Sequence, residues 1–229
     1  MKENKIWNDY LPEDMQEHWT VYECLKESED SSTFLVKETA TGILCVLKWG
    51  RNRQAEFLRN EMEIMEKMAD RKLSGIPKTY RIFEENGEVY LVREYIEGMS
   101  LAQMVLQKGG ISEAEICRIS RKICQTAEQF QNPDEPMIHR DIKPENIVVT
   151  PGGEVVFIDF GTMRSYKKDG SRDTFVVGTR GTAAPEQYGY TQTDQRTDVY
   201  AIGQTMLYMV SESYEMNPVS YTHLRAHET

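Results

Sequence analysis

The run from His139 to Gly161, HRDIKPENIVVTPGGEVVFIDFG, constrains this chain more than any other stretch. It sets Asp141, Lys143, Asn146 and Asp159 into one strand-turn-strand segment. IVV and EVVFI read as two short apolar strands joined by Pro151, Gly152 and Gly153. Such a hairpin brings the loop after its second strand back to the side from which the first strand started. Asp141, Asn146 and Asp159 are therefore expected to converge, and their oxygens are of the kind that hold a hard divalent cation.

Composition bounds the remainder. The 229 residues suffice for two modest lobes or one large domain, and a 39% hydrophobic content is ordinary for a globular chain. With 37 acidic against 27 basic residues the formal charge is −10. That balance argues against sequence-independent nucleic-acid binding, which needs cations to neutralise phosphates; a basic substrate or a solvated acidic surface suits it better. Cys24, Cys45, Cys117 and Cys124 show no CxxC spacing and read as reduced packing residues of a cytoplasmic protein. The opening residues lack the apolar core of a signal peptide, and no run reaches the roughly 18 apolar residues of a bilayer span. A membrane anchor beyond the last residue is compatible with this reading.

Residues 1–19 read as a polar extension laid on the first lobe, with Trp7, Tyr10, Leu11 and Trp19 as anchors. TVYECLK, TFLVKE and ILCVLKW then form an antiparallel meander, and KTYRIFEE and EVYLVREY a hairpin turning at Asn86 and Gly87. Strand alternation places Lys48 on one face with Leu44 and Val46. Residues 53–72 have helical periodicity, with Phe57, Ile64, Met65 and Met68 in a stripe that also holds Glu61. An ammonium and a carboxylate on facing apolar surfaces are expected to pair, since either one buried alone is costly.

After REYIEGMSL, strands give way to helices. Ser112 and Glu115 form a capping box that opens a helix whose buried stripe is Ile116, Ile119, Ile123 and Ala127. Asn132, Pro133, Asp134 and Pro136 break it before His139. VYAIGQTMLYMV suits a helix in the middle of a lobe.

HRDIKPEN, DFG and the later Ala184, Pro185 and Glu186 resemble the catalytic loop, metal-binding motif and closing motif of eukaryotic-type protein kinases, in the bacterial Hanks-type serine/threonine group. The resemblance covers residues 20–217. It implies an α+β, bilobal protein-kinase-like fold: a small five-stranded antiparallel lobe with one helix over residues 20–95, a mainly helical, incomplete lobe over residues 96–217, and an active site in the cleft between them. It implies ATP and Mg2+ as cofactors and a protein serine or threonine hydroxyl as acceptor. Asp141 would orient the acceptor, Lys143 reach the transferred phosphate, and Asn146 and Asp159 hold magnesium. Lys48 would contact the α- and β-phosphates and be held by Glu61, with the adenine edge at the backbone of Glu94 and Ile96. Arg93 stands beside that edge where the family usually has an apolar residue. His139 would be a packed structural residue, Asp198 a support for the catalytic loop, and Thr182 the hydroxyl bonded to Asp141 and Lys143. Arg140 would bind a phosphorylated activation segment, with Thr174 and Thr179 as candidate autophosphorylation sites.

Two features depart from the family. The positions of the phosphate-loop glycines carry Lys26, Ser28 and Ser31, among Glu27, Glu29 and Asp30, and no glycine precedes Gly42. Ser28 and Ser31 are left to offer amides. Residues 218–229, in PVSYTHLRAHET, resemble translated adapter read-through, so the chain is expected to be a C-terminally truncated fragment in which His223 and His227 are no metal pair. Two alternatives stand beside the kinase: a pseudokinase that binds without turnover, favoured by the acidic loop, and a small-molecule kinase of the same fold.

Overall fold

The computed structural model describes residues 11–69, 71, 73–108, 111–131, 135–166, 178–188 and 192–211. The chain divides into two compact units, Met1–Glu97 and Gly98–Thr229.

In the first unit a short helix, α1 (Glu13–Gln16), leads into β1 (Trp19–Glu27), β2 (Ser31–Glu38) and β3 (Leu44–Gly50). The long helix α2 (Arg53–Ala69) follows, then β4 (Thr79–Glu85) and β5 (Glu88–Glu94). The five strands form one antiparallel sheet in the order β1-β2-β3-β5-β4. Asn86 and Gly87 both take positive φ, 51° and 83°, as a two-residue hairpin matched to strand twist requires.

Period-two alternation sorts the sheet's faces. Phe34, Val36, Cys45, Leu47, Tyr90 and Val92 form a buried cluster on one side, joined by Leu11, Met15 and Trp19 of the extension. Each large apolar side chain so removed from water contributes about 1.5–3 kcal/mol. On the other side Ala55 and Leu58 of α2 pack on Val89 and Leu91. Two of the expected anchors, Leu11 and Trp19, are thus in the core; Trp7 and Tyr10 lie outside the described residues.

The second unit opens with β6 (Met99–Ser100) and α3 (Leu101–Lys108), a helix that sequence periodicity did not reveal. Helix α4 (Glu113–Glu128), β7 (Met137–Ile138), β8 (Ile147–Val149), β9 (Val155–Phe157), β10 (Arg164–Ser165) and α5 (Gln195–Ser211) follow. Strands β6, β8 and β9 form one small sheet and β10 pairs with β7. Within the β8–β9 hairpin Ile147 faces Phe157 and Val149 faces Val155.

Ser112 caps α4 by accepting the Glu115 N–H at 3.3 Å, while the Glu115 carboxylate accepts from Lys108 Nζ at 3.0 Å. The helix buries Ile119, Ser120, Ile123, Thr126 and Ala127. Cys117 and Cys124 lie off that face and are exposed, so the packing role expected of the four thiols holds for buried Cys45 and for half-buried Cys24, which packs against the sheet's core, and not for these two. Helix α5 likewise buries one side, with Ala201, Ile202, Tyr208 and Met209, while Val199, Leu207 and Val210 are exposed. It is not buried all round as its apolar sequence suggests. No described helix is long and apolar enough to cross a membrane.

Candidate active site

In the first unit β3 carries Lys48 to face α2, where Glu61 occupies the inward stripe. Lys48 Nζ donates to both carboxylate oxygens of Glu61, at 3.0 and 2.7 Å. The side chains are only 12% and 2% exposed, so each takes its doubly bonded counter-charge from the other in a site largely closed to water.

The β1–β2 turn is fastened twice. The Ser28 N–H donates to the Ser31 carbonyl at 2.8 Å, and the two hydroxyls lie 2.8 Å apart. Arg51 donates to Asp30 Oδ1 at 2.9 Å and to the Glu29 carbonyl at 3.0 Å, and Asn52 Nδ2 adds a bond to Asp30 at 3.0 Å. The expectation that both serines offer amides is therefore corrected: the amide of Ser28 is used inside the turn. At the end of β5 the Glu94 N–H donates to the Lys78 carbonyl at 2.8 Å, and the Glu94 carbonyl accepts from Arg93 Nη1 at 3.1 Å. Ile96 follows outside the strand, half-buried.

In the second unit three side chains meet at Asp141. Lys143 Nζ lies 2.8 Å from its Oδ2, Asn146 Nδ2 donates to Oδ2 and to the backbone carbonyl at 3.0 Å each, and Thr179 Oγ1 donates to Oδ1 at 2.7 Å. Thr179 in turn accepts from Lys143 at 2.7 Å. A 3-10 turn, Pro144–Asn146, compresses the loop enough for Asn146 to reach back to Asp141. The Ile158 N–H donates to the Asn146 carbonyl at 3.0 Å, bringing Asp159 beside Asn146 along the hairpin, and Asp159 Oδ1 accepts the Gly161 N–H at 3.3 Å. Asn146 turns its amide nitrogen to Asp141, so its Oδ1 is the oxygen that could ligate a divalent cation. Among the described residues no three His, Cys, Asp or Glu cluster around a metal position. The Asn146 amide oxygen and the Asp159 carboxylate are hard oxygen donors, which could hold a divalent cation.

The loop is anchored from below by Asp198. Its two carboxylate oxygens accept the N–H groups of His139 and Arg140 at 2.9 Å each, and Arg140 sits in the left-handed region at φ 68°. Burial pushes the Asp198 carboxyl up to about 6, against the lowering effect of those N–H donors. His139 is buried among Phe130, Phe157 and Phe160, with ring centroids 5.3–6.2 Å away, and neither ring nitrogen has a hydrogen-bond partner. Desolvation lowers it to about 4, so it is a neutral packing ring and no general base. Arg140 Nε donates to the Thr162 carbonyl at 2.6 Å.

Residues 20–226 match the family model of the protein kinase domain. The chain belongs to the protein kinase domain family. It is 32% identical over 164 residues to serine/threonine-protein kinase D of Synechocystis sp., 27% over 177 residues to serine/threonine-protein kinase cds1 of Schizosaccharomyces pombe, and 30% over 164 residues to serine/threonine-protein kinase PknA of Nostoc sp.. These alignments cover 69%, 73% and 68% of this chain but only 31%, 37% and 28% of the relatives, so the chain spans about a third of their length. Use of ATP and a divalent metal is general to the family.

This kinase domain departs from its expected wiring at one hydroxyl. Thr179, not Thr182, joins Asp141 to Lys143, and Thr182 Oγ1 donates instead to the Thr179 carbonyl at 3.3 Å. The Thr182 and Ala183 N–H groups also end on that carbonyl, at 3.1 and 2.8 Å. The segment coils through a single turn there, which gives the Asp141–Lys143 bridge to Thr179 and ties Thr182 to the Thr179 carbonyl. Sequence spacing cannot separate the two threonines. Thr174, the other candidate phosphosite, lies outside the described residues.

Proposed function

We propose that this kinase domain transfers the terminal phosphoryl group of ATP to serine and threonine hydroxyls of proteins, with Mg2+ as the divalent ion. The observation that carries the reading is the Asp141 carboxylate held from three directions by Lys143, Asn146 and Thr179. A carboxylate so immobilised is suited to orient an acceptor hydroxyl and take its proton as the oxygen attacks phosphorus. Lys143, 2.8 Å from that carboxylate, brings positive charge to the transferring group. Asn146 Oδ1 and Asp159 are assigned to the magnesium, which when bound shields the phosphate oxygens and favours departure of ADP. Lys48, steadied by Glu61, is assigned to the α- and β-phosphates, and the backbone of Glu94 and Ile96 to the adenine edge. With the Ser28 amide spent in its turn, Ser31 and Lys48 are left with most of the protein's share of phosphate binding.

The Thr179 hydroxyl, held between Asp141 and Lys143, is a poor phosphorylation target, which leaves Thr174 as the autophosphorylation candidate. Free thiols at all four cysteines fit a cytoplasmic setting.

The test is incubation of the chain with γ-labelled ATP, MgCl2 and a generic basic protein beside an Asp159→Asn control. Label that appears on protein serine or threonine and is lost in the control supports the assignment. Nucleotide binding with no transfer would make the domain a binding module, and label on small hydroxyl compounds alone a small-molecule kinase.

A further inference from the structure

Gln187 is 4% exposed, a buried neutral amide in the 3-10 turn Pro185–Tyr188, and it bonds to two separate backbones. Its Oε1 accepts the Ala184 N–H at 2.9 Å. Its Nε2 donates to the Arg140 carbonyl at 2.6 Å. That carbonyl belongs to the peptide entering Asp141, at a residue whose φ of 68° is held in a strained region. A third backbone closes on the same amide: a Cβ at Gly178 would lie 2.9 Å from Gln187 Nε2 and 2.7 Å from the Ala183 Cβ, and Gly178 has φ 142°. Gly178 directly precedes Thr179. One amide therefore touches the chain next to each partner of the Thr179–Asp141 hydrogen bond.

We propose that Gln187 is a positioning residue that sets the register between Asp141 and Thr179 by clamping the Arg140 carbonyl to the Ala184 amide and Gly178. The proposal rests on the phosphoryl-transfer reading for its kinetic consequence and on the geometry alone for its structural one. Gln187 touches no reacting atom. It acts by holding the peptide that aims Asp141, and a misplacement of about an ångström at such a group costs on the order of 100-fold in rate.

Two near-isosteric variants separate positioning from bulk packing. Gln187→Met keeps the volume and loses both bonds. Gln187→Glu keeps the acceptor for Ala184 and sets a carboxylate oxygen against the Arg140 carbonyl; once protonated it donates there as the amide did. Gln187→Met is expected to lose roughly 10- to 100-fold in kcat, with KM for ATP within twofold of wild type. Gln187→Glu is expected to be comparably slow at pH 8 and to recover relative to wild type as pH falls. Amide hydrogen exchange reads the clamp without turnover: protection at Ala184 is lost in Gln187→Met and kept in Gln187→Glu.

Wild-type kcat in Gln187→Met, a Gln187→Glu pH profile parallel to wild type, or unchanged exchange at Ala184 in Gln187→Met would each overturn the proposal. If the wild type itself transfers no phosphoryl group, the functional reading fails, and the exchange measurement still decides the clamp.

Discussion

Thr179 Oγ1 donates to Asp141 Oδ1 across 2.7 Å while accepting from Lys143 Nζ at the same distance. The hydroxyl bridges an acid and a cation that already lie 2.8 Å apart, so both carboxylate oxygens are held, Oδ1 by Thr179 and Oδ2 by Lys143 and Asn146. A hydrogen bond to a charged group is worth about 1.5–3 kcal/mol, so Thr179→Val, which keeps the shape, is expected to lower kcat roughly 10- to 100-fold. Thr179→Ser should stay within about threefold of wild type by steady-state kinetics, whereas Thr182→Val should affect stability more than rate.

The Lys48–Glu61 pair makes a prediction in which folding and catalysis part company. Glu61→Ala takes a doubly bonded carboxylate from the buried ammonium and should be destabilising in urea denaturation, by up to about 3 kcal/mol. The double change Lys48→Met with Glu61→Leu replaces the pair with apolar volume and should recover most of that stability, with no recovery of phosphoryl transfer. Recovery of both would remove Lys48 from the phosphate site.

His139 and Asp198 oppose each other in acid. Folded His139 binds its proton near pH 4, well below the usual value of about 6.5, so the unfolded chain holds more protons between those limits and stability is lost as pH falls through them. Folded Asp198 binds its proton near pH 6, against about 3.9 unfolded, so stability is gained as pH falls through that window. Each effect is on the order of 3 kcal/mol, and they largely cancel between about pH 4 and 6. His139→Phe, placed among Phe130, Phe157 and Phe160, removes the first alone. Calorimetry should therefore find its Tm rising relative to wild type from pH 7 to pH 4.5. A constant difference across that range would mean that His139 does not resist protonation.

At the β1–β2 turn Arg51 and Asp30 are each 43% exposed, so breaking their bond should change stability by less than about 1 kcal/mol. The effect belongs to the nucleotide. Arg51→Ala takes the counter-charge from Asp30, which keeps only the neutral Asn52 amide, beside the proposed phosphate position and should raise KM for ATP several-fold at low ionic strength, less at high salt. Adding Asp30→Asn should reverse the change.

What could be read from the sequence was what local periodicity encodes. Alternation in β3 and the 3.6-residue repeat in α2 put Lys48 and Glu61 on facing surfaces, and the β8–β9 hairpin turned Asp159 back toward Asn146. Helix α3 escaped notice because LAQMVLQK is barely two turns long and offers little period to count. Thr179 and Gln187 escaped for another reason. Their roles depend on how Thr179–Tyr188 coils, and Gln187 meets its partner Arg140 across 47 residues of chain. A buried neutral amide carries no charge pattern and no spacing rule that would mark it beforehand.

Leu11, Met15 and Trp19, at most 4% exposed, roof the sheet face that holds Phe34, Val36 and Leu47. The family match starts one residue later, at residue 20. An expression boundary drawn by homology would shear that roof away, wetting a greasy plateau and forfeiting on the order of 5 kcal/mol, a large part of what a domain usually has in reserve. Poor solubility of such a trimmed polypeptide would then report on where it was cut, and not on the catalytic competence of what remains.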